Sequence, residues 1–242
     1  MRKILNEFMA WLPGDRSDKM FLARIKANTT PEVHRIYCAK NGDRAELMIY
    51  ENIGLDWWTG EGMTPSKLQS ELNRLRPFDE LLVRMNSNGG DVFDAMAIYN
   101  VLRMMPEPVV VEIEAVAASA ASYIVQAASP GKLRIHESAE IMIHKAHGMF
   151  AGFDTADNME PDAIDFFALL RKIDVHIADI YAARTGKEAS TWLTKMKKDY
   201  WMSGKQSVEE GMADEVIPLK KSGKKNETPY KNRIKQLMTN AN

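Results

Sequence analysis

A chain of 242 residues with 45% hydrophobic and 27% charged content can bury a substantial core, in one large domain or two small ones. Its formal net charge of −1 removes the electrostatic case for binding nucleic acid. The single cysteine, Cys38, excludes an intrachain disulfide and fits a reducing compartment.

From the start, Arg2 and Lys3 resemble the opening of a signal peptide, but Asn6 and Glu7 interrupt the apolar stretch. No run approaches the ~20 apolar residues of a membrane span, so a cytoplasmic protein without a membrane partner is expected. Residues 1–43 read as an extension, in which 34–42, around Cys38, have the character of an edge strand. The alternation at 46–50 predicts the first core strand. Thr64-Pro65 is a cap followed by proline at the first helical position, and opens a helix to about Leu75. Residues 80–85 form the next strand. A helix over 91–105 follows, with Val92, Ala95, Tyr99 and Leu102 on one stripe. The β-branched run 109–113 is a strand and 119–128 a helix, broken by Ser129-Pro130-Gly131. Short strands are expected at 132–135 and 140–144, then a glycine-containing loop at 148–155. An amphipathic helix over 162–184 places Ile164, Phe167, Leu170, Ile173, Ile177 and Ile180 on its apolar face, and Gly186 ends it. A helix at 188–197 follows, then a short one capped by Ser203 and stopped by Gly211, and a last strand at 215–218. Residues 219–242 read as a charged tail. Strands alternating with helices across 44–218 indicate one α/β domain.

Four segments carry chemistry. Ser119 stands among Ala117, Ala118, Ala120 and Ala121, where small neighbours let backbone and substrate approach a helix N-terminus. A serine there could equally be a plain helix cap, and Ser122, its rival, is better suited to packing inside. His144 ends the apolar run 141–143, where an imidazole can take a proton from a hydroxyl; an isolated histidine there could equally be structural. His147, beyond that strand, belongs at the mouth of a cleft. Gly89-Gly90 follows a strand and precedes a helix, the position at which turns aim N–H groups at anions. It is not a Walker loop, because no Gly-Lys-Ser/Thr follows. Asp199, beside Tyr200 and Trp201, could orient a base or be a solvated turn residue. With no His-Glu-x-x-His pattern and no cysteine cluster, neither a metal nor a cofactor is expected. A nucleophile, a base and an oxyanion cradle together point to a serine peptidase.

The order of these pieces resembles the ClpP-type serine peptidases, and most closely the ClpP-related proteases of tailed-phage head assembly. Asn86-Ser87-Asn88-Gly89-Gly90 is similar to the family's Asn-Ser-Pro-Gly-Gly turn, with Asn88 in place of proline. Ala117-Ala118-Ser119 is similar to its nucleophile motif, with Ala115 where the cellular enzymes have glycine, and Met142-Ile143-His144 to its base motif. Residues 199–203 align with the segment led by the third triad member, and 208–214 with the closing helix and turn. The resemblance implies a Ser119–His144–Asp199 triad, with the N–H groups of Gly90 and Ala120 holding the oxyanion. The implied fold is the ClpP/crotonase-like spiral of βα units with a projecting handle helix. The implied assembly is a homo-oligomeric ring, and the implied substrates are proteins or peptides. The serine string shared with phage enzymes points to capsid or scaffold processing, in host cytoplasm or prohead interior. Residues before 44 do not resemble the cellular enzyme's axial-loop segment, which implies ATP-independent cleavage; a degradative peptidase coupled to a ring ATPase is the alternative. A crotonase-like acyl-CoA enzyme would share the oxyanion hole, but Ser119 and His144 together argue against it.

Overall fold

A computed structural model describes residues 38–41, 43–55, 62–147 and 156–219. The expected loop at 148–155, the extension before 38 and the tail after 219 lie outside the described residues. Strand β1 (Cys38–Asn41) runs antiparallel to β2 (Arg44–Ile49) at the sheet's edge, as the segment around Cys38 leads one to expect. Strands β3 (Glu80–Ser87), β4 (Val109–Ala118) and β5 (Leu133–His136) then add in parallel, with β8 (Glu215–Ile217) at the far edge.

Alternation decides which way each strand faces. Ala45, Leu47 and Ile49 of β2, Val83 and Met85 of β3, and Val111 and Ile113 of β4 are buried in one core. Charged residues take the positions between them. Arg84 bridges Glu112 at 3.0 Å and Glu114 at 2.8 Å, and Arg134 reaches Glu112 at 2.6 Å. Helices α1 (Pro65–Leu75) and α2 (Val92–Arg103) cover the apolar face with Leu68, Leu72, Ala95, Ile98 and Leu102. Their starts follow local chemistry: the Thr64 hydroxyl accepts from Lys67 N at 3.3 Å, and Asp91 Oδ1 accepts from the N–H groups of Phe93 and Asp94.

Four departures from the sequence reading shape the site. Strand β4 continues five residues past Ile113, because its second half finds a new neighbour. Val111–Ile113 pair with β5, whereas Val116, Ala117 and Ala118 pair with Glu140, Ile141 and Met142 of β6 (Glu140–Ile143). The helix after it is a single α turn, α3 (Ala120–Ile124), running into 3₁₀ geometry over Val125–Ala127. Helix α4 (Ala156–Thr185) begins six residues before 162, carrying Pro161 inside it. Proline removes one i→i−4 bond, a modest loss in a 30-residue helix about 45 Å long. After α5 (Ala189–Lys195), residues 200–203 form an unanticipated strand, β7 (Tyr200–Ser203), antiparallel to β6. Helix α6 (Gly204–Glu210) closes the unit with a capping box, in which Ser203 N donates to Gln206 Oε1 and Gln206 N to Ser203 Oγ.

The C-terminal ends of β3, β4 and β6 and the start of the antiparallel β7 therefore meet at one edge. Crevices at the carboxyl ends of parallel strands are where α/β folds place ligands.

Candidate active site

Strand β4 delivers Ser119 into a turn that few residues adopt. Its φ of 53° and ψ of −123° make it the sole non-glycine residue at positive φ among those described. Such a conformation costs about 1–3 kcal/mol and persists where the surroundings over-determine it. They do so here. Ser119 N donates to Met142 O of β6 at 2.9 Å, and Ser119 O accepts from both the N–H and the hydroxyl of Ser122. Ser122 is fully buried and its hydroxyl also meets Tyr181 OH of α4 at 2.6 Å, which fits the sequence reading of Ser122 as an inside residue. A sharp strand-to-helix turn of this kind lifts a serine hydroxyl clear of the sheet.

Glycines 89 and 90 are required by close approach. A Cβ on Gly89 would lie 2.7 Å from Ala118 O and 2.8 Å from both Ala120 N and Ser119 Cβ. On Gly90 it would stand 2.1 Å from Ile53 O. The bridge between Ile53 and Gly90 uses Gly89 O and Asp91 N, leaving Gly90 N outside it. Ala120 N opens α3, where no intrahelical acceptor exists. Among the described residues neither N–H has a hydrogen-bond partner.

His144 follows β6 in a strap, residues 144–147, fixed by two bonds: Lys145 N to Met196 O at 3.0 Å and Ala146 N to Asp174 Oδ1 at 2.7 Å. Asp174 is a buried carboxylate on α4, also 3.7 Å from Lys145 Nζ. Gly90, Ser119, Ala120, His144, His147 and Tyr181 line one cleft of roughly 210 Å³. No hydrogen bond joins the Ser119 hydroxyl to the His144 ring. Asp199 lies one position beyond the β6–β7 ladder. Ile143 pairs with Tyr200, so the next rung sets His144 opposite Asp199. Asp199 is exposed and makes no hydrogen bond to the ring; the His144 Nδ1 faces His147 Nε2 instead, at 3.3 Å. Burial, then the neighbouring His147, hold His144 below the ordinary imidazole value, while the charges of Asp199 and Asp174 and the Lys145 backbone pull the other way.

Sequence reasoning thus singled out five residues that line the cleft, Gly90, Ser119, Ala120, His144 and His147, and also Asp199, which is not part of its lining. It passed over Tyr181, although Tyr181 follows Ile177 by one helical turn and so shares its face. Asp174 carried no local signal. One cluster has metal-ligating types: donor atoms of Glu112, Glu114 and His136 lie within 4.8 Å of one another. Arg84 and Arg134 neutralise both glutamates, and Tyr50 also donates to Glu114, so an ion there would have to displace guanidinium groups. Among the described residues no helix is long and apolar enough to cross a membrane.

A strained serine, an imidazole in the same cleft and two unpaired N–H groups are the parts of a hydrolytic acyl-transfer site on an α/β sheet. Residues 66–220, more than half the chain, match the Clp protease family, and the chain belongs to that family of peptidases. It is 30% identical over 146 residues to the ATP-dependent Clp protease proteolytic subunit of Deinococcus radiodurans, covering 60% of this chain and 69% of the relative. Its fold is shared with the ClpP1 N165D mutant from Listeria monocytogenes at a TM-score of 0.59 and 20% identity, over 72% of this chain and 92% of the other. The fold is accordingly of ClpP type.

Proposed function

We propose that this peptidase is a serine endopeptidase working through Ser119, His144 and Asp199. The observation that carries the reading is the strained Ser119 turn sharing a cleft with His144 and the unpaired N–H groups of Gly90 and Ala120. Ser119 Oγ attacks the peptide carbonyl carbon while His144 Nε2 takes its proton. The carbonyl oxygen, now an anion, is received by the two N–H groups, each donor contributing about 3 kcal/mol to the transition state. His144 returns the proton to the departing amine, and a water repeats the sequence to free the acyl group. Asp199 stabilises the imidazolium from the next rung, and hydrogen bonds of this kind often tighten only around substrate.

The substrates we assign are capsid or scaffold proteins of a tailed phage, cut without ATP. The support is the Ala-Ala-Ser-Ala-Ala-Ser string at 117–122 and the unmatched segment before 44. A homo-oligomeric ring is supported by the first half of α4, which leaves Ile164 at 58%, Phe167 at 47% and Leu169 at 42% exposed. The printed name of the Deinococcus relative favours a second reading, degradation coupled to an ATPase. Incubation with capsid and scaffold proteins from the same genome, without nucleotide, separates the two. Defined cleavage sites by mass spectrometry, absent with Ser119→Ala, are expected; cleavage that needs an ATPase and ATP would overturn the substrate assignment.

A further inference from the structure

Asp174 is a carboxylate at a position where packing alone calls for an apolar side chain. It stands on the inner face of α4 with Ile173 and Ile177, and is 5% exposed. Burying a carboxylate costs free energy unless a donor meets it. The donor here is Ala146 N, 2.7 Å from Oδ1, on the strap two positions beyond His144. Lys145 Nζ stands 3.7 Å from Oδ2, outside hydrogen-bond distance.

The strap needs such an anchor. The β6–β7 pairing runs no further than Ile143 and Tyr200, so no ladder bond steers the chain from His144 onward. Its path is set instead by Lys145 N to Met196 O on one side and by Ala146 N to Asp174 on the other. That path decides where the imidazole can point, because the rotamers open to a side chain depend on its backbone. The same face of α4 also reaches the nucleophile. Seven residues on, about 10 Å along the helix, Tyr181 OH meets the Ser122 hydroxyl, which donates to Ser119 O. One helix thus holds the turn of Ser119 and the strap of His144 in a common frame.

We propose that Asp174 is a positioning residue for His144: its carboxylate accepts from Ala146 N and holds the strap in the path that keeps the imidazole in the cleft with Ser119. The proposal rests on the serine-peptidase reading and leaves Asp199 its role beside the imidazolium. The titratable groups around His144 are His147 and Lys145 on the strap, Asp199 before β7, Tyr123 on α3, and Asp174 and Tyr181 on α4. The charge of Asp174 is among those that raise the proton affinity of His144.

The test is the rate at which a fluorophosphonate labels Ser119 in the full chain, from about pH 5 to 8, for the wild type, Asp174→Asn and Asp174→Leu. Asparagine keeps an oxygen for Ala146 N, whereas leucine fills the space and accepts nothing. Both lack the charge, so their acid limbs should coincide, slightly to the acidic side of the wild type. The plateau should separate them: about tenfold or more below the wild type for leucine, and within about threefold of it for asparagine. The Ala146 amide should be protected from hydrogen exchange in the wild type and the asparagine variant, and lose about tenfold of that protection with leucine. An asparagine plateau about tenfold down, or a folded leucine variant labelling at the wild-type rate, would overturn the role of Asp174 and leave the peptidase reading standing. So would a wild-type Ala146 amide that exchanges as freely as in an unfolded chain, whether or not the leucine variant folds. Undiminished labelling of Ser119→Ala, or no labelling of the wild type at any pH, would overturn the peptidase reading and this proposal with it.

Discussion

Ser119 and His144 face the same cleft but are carried by different parts of the molecule. Ser119 ends a central strand, flanked by Ala117, Ala118, Ala120 and Ala121, all buried, and backed by the buried Ser122–Tyr181 hydroxyl pair. His144, His147 and Asp199 belong to the rim. Their support is a four-rung antiparallel ladder, a strap and a carboxylate from α4, and the side chains themselves are half-buried or exposed. The backbone conformation of Ser119 is therefore held by the core, and the placement of His144 by an edge. Core support tolerates strain, whereas an edge can adjust when substrate or a neighbouring subunit arrives. Damage on the first side should appear as instability, and on the second as lost rate.

The sharpest break in that contrast is Ser119→Ala. It removes only an oxygen, so peptide cleavage should fall roughly 10³-fold or more while the thermal midpoint stays put. A large fall in stability would mean the hydroxyl has a structural role that the hydrogen-bond pattern does not contain. Asp199→Asn comes next, at roughly 10–100-fold in kcat/KM, less than for a buried, hydrogen-bonded triad acid. The pH profile gives a second readout. His144 titrates below the ordinary 6.5, so the acid limb should lie on the acidic side of that value. Removing Asp199, whose charge raises His144, should move the limb further down.

Gly89→Ala tests the core side. Its Cβ would meet backbone at 2.7–2.8 Å and at a φ of +97°, so urea unfolding should show a loss of about 1–3 kcal/mol. The smallest effect belongs to Glu210→Gln, which probes how the rim strand is tied down. Glu210 accepts from Lys187, Lys195 and Tyr200, the residue after Asp199. Although burial opposes it, those partners bring its carboxyl from 4.5 down to about 2. A depressed carboxylate stabilises the fold above its unfolded value and loses that contribution as pH falls. The variant should thus be less stable at neutral pH by under about 1 kcal/mol, given its partial exposure. The difference should shrink below pH 4.5 and vanish near 2.

The legible parts of the fold were those written in neighbouring residues. Thr64-Pro65, Asp91 and Ser203 mark helix starts because a capping side chain needs only the next turn to act. The alternation at 46–50 and the paired glycines could be read in the same way. Strand β7 could not, since Tyr200–Ser203 is extended only because β6 offers an edge some sixty positions earlier in the chain. The long helix shows the same limit. Ile164, Phe167, Ile173 and Ile177 share a periodicity, yet Ile173 and Ile177 are 3% exposed and the first two are open. Periodicity defines a face but not what covers it.

The site divides along the same line. Residue order alone determined the types of group available and their local setting: a serine between alanines, a histidine closing an apolar run, two glycines before a helix. Tertiary structure alone decided the strained turn at Ser119, the rung that sets Asp199 opposite His144, and the meeting of His144 Nδ1 with His147. Each of these depends on register between strands or on an anchor from another helix, and such long-range pairings leave no mark on the residues that flank them.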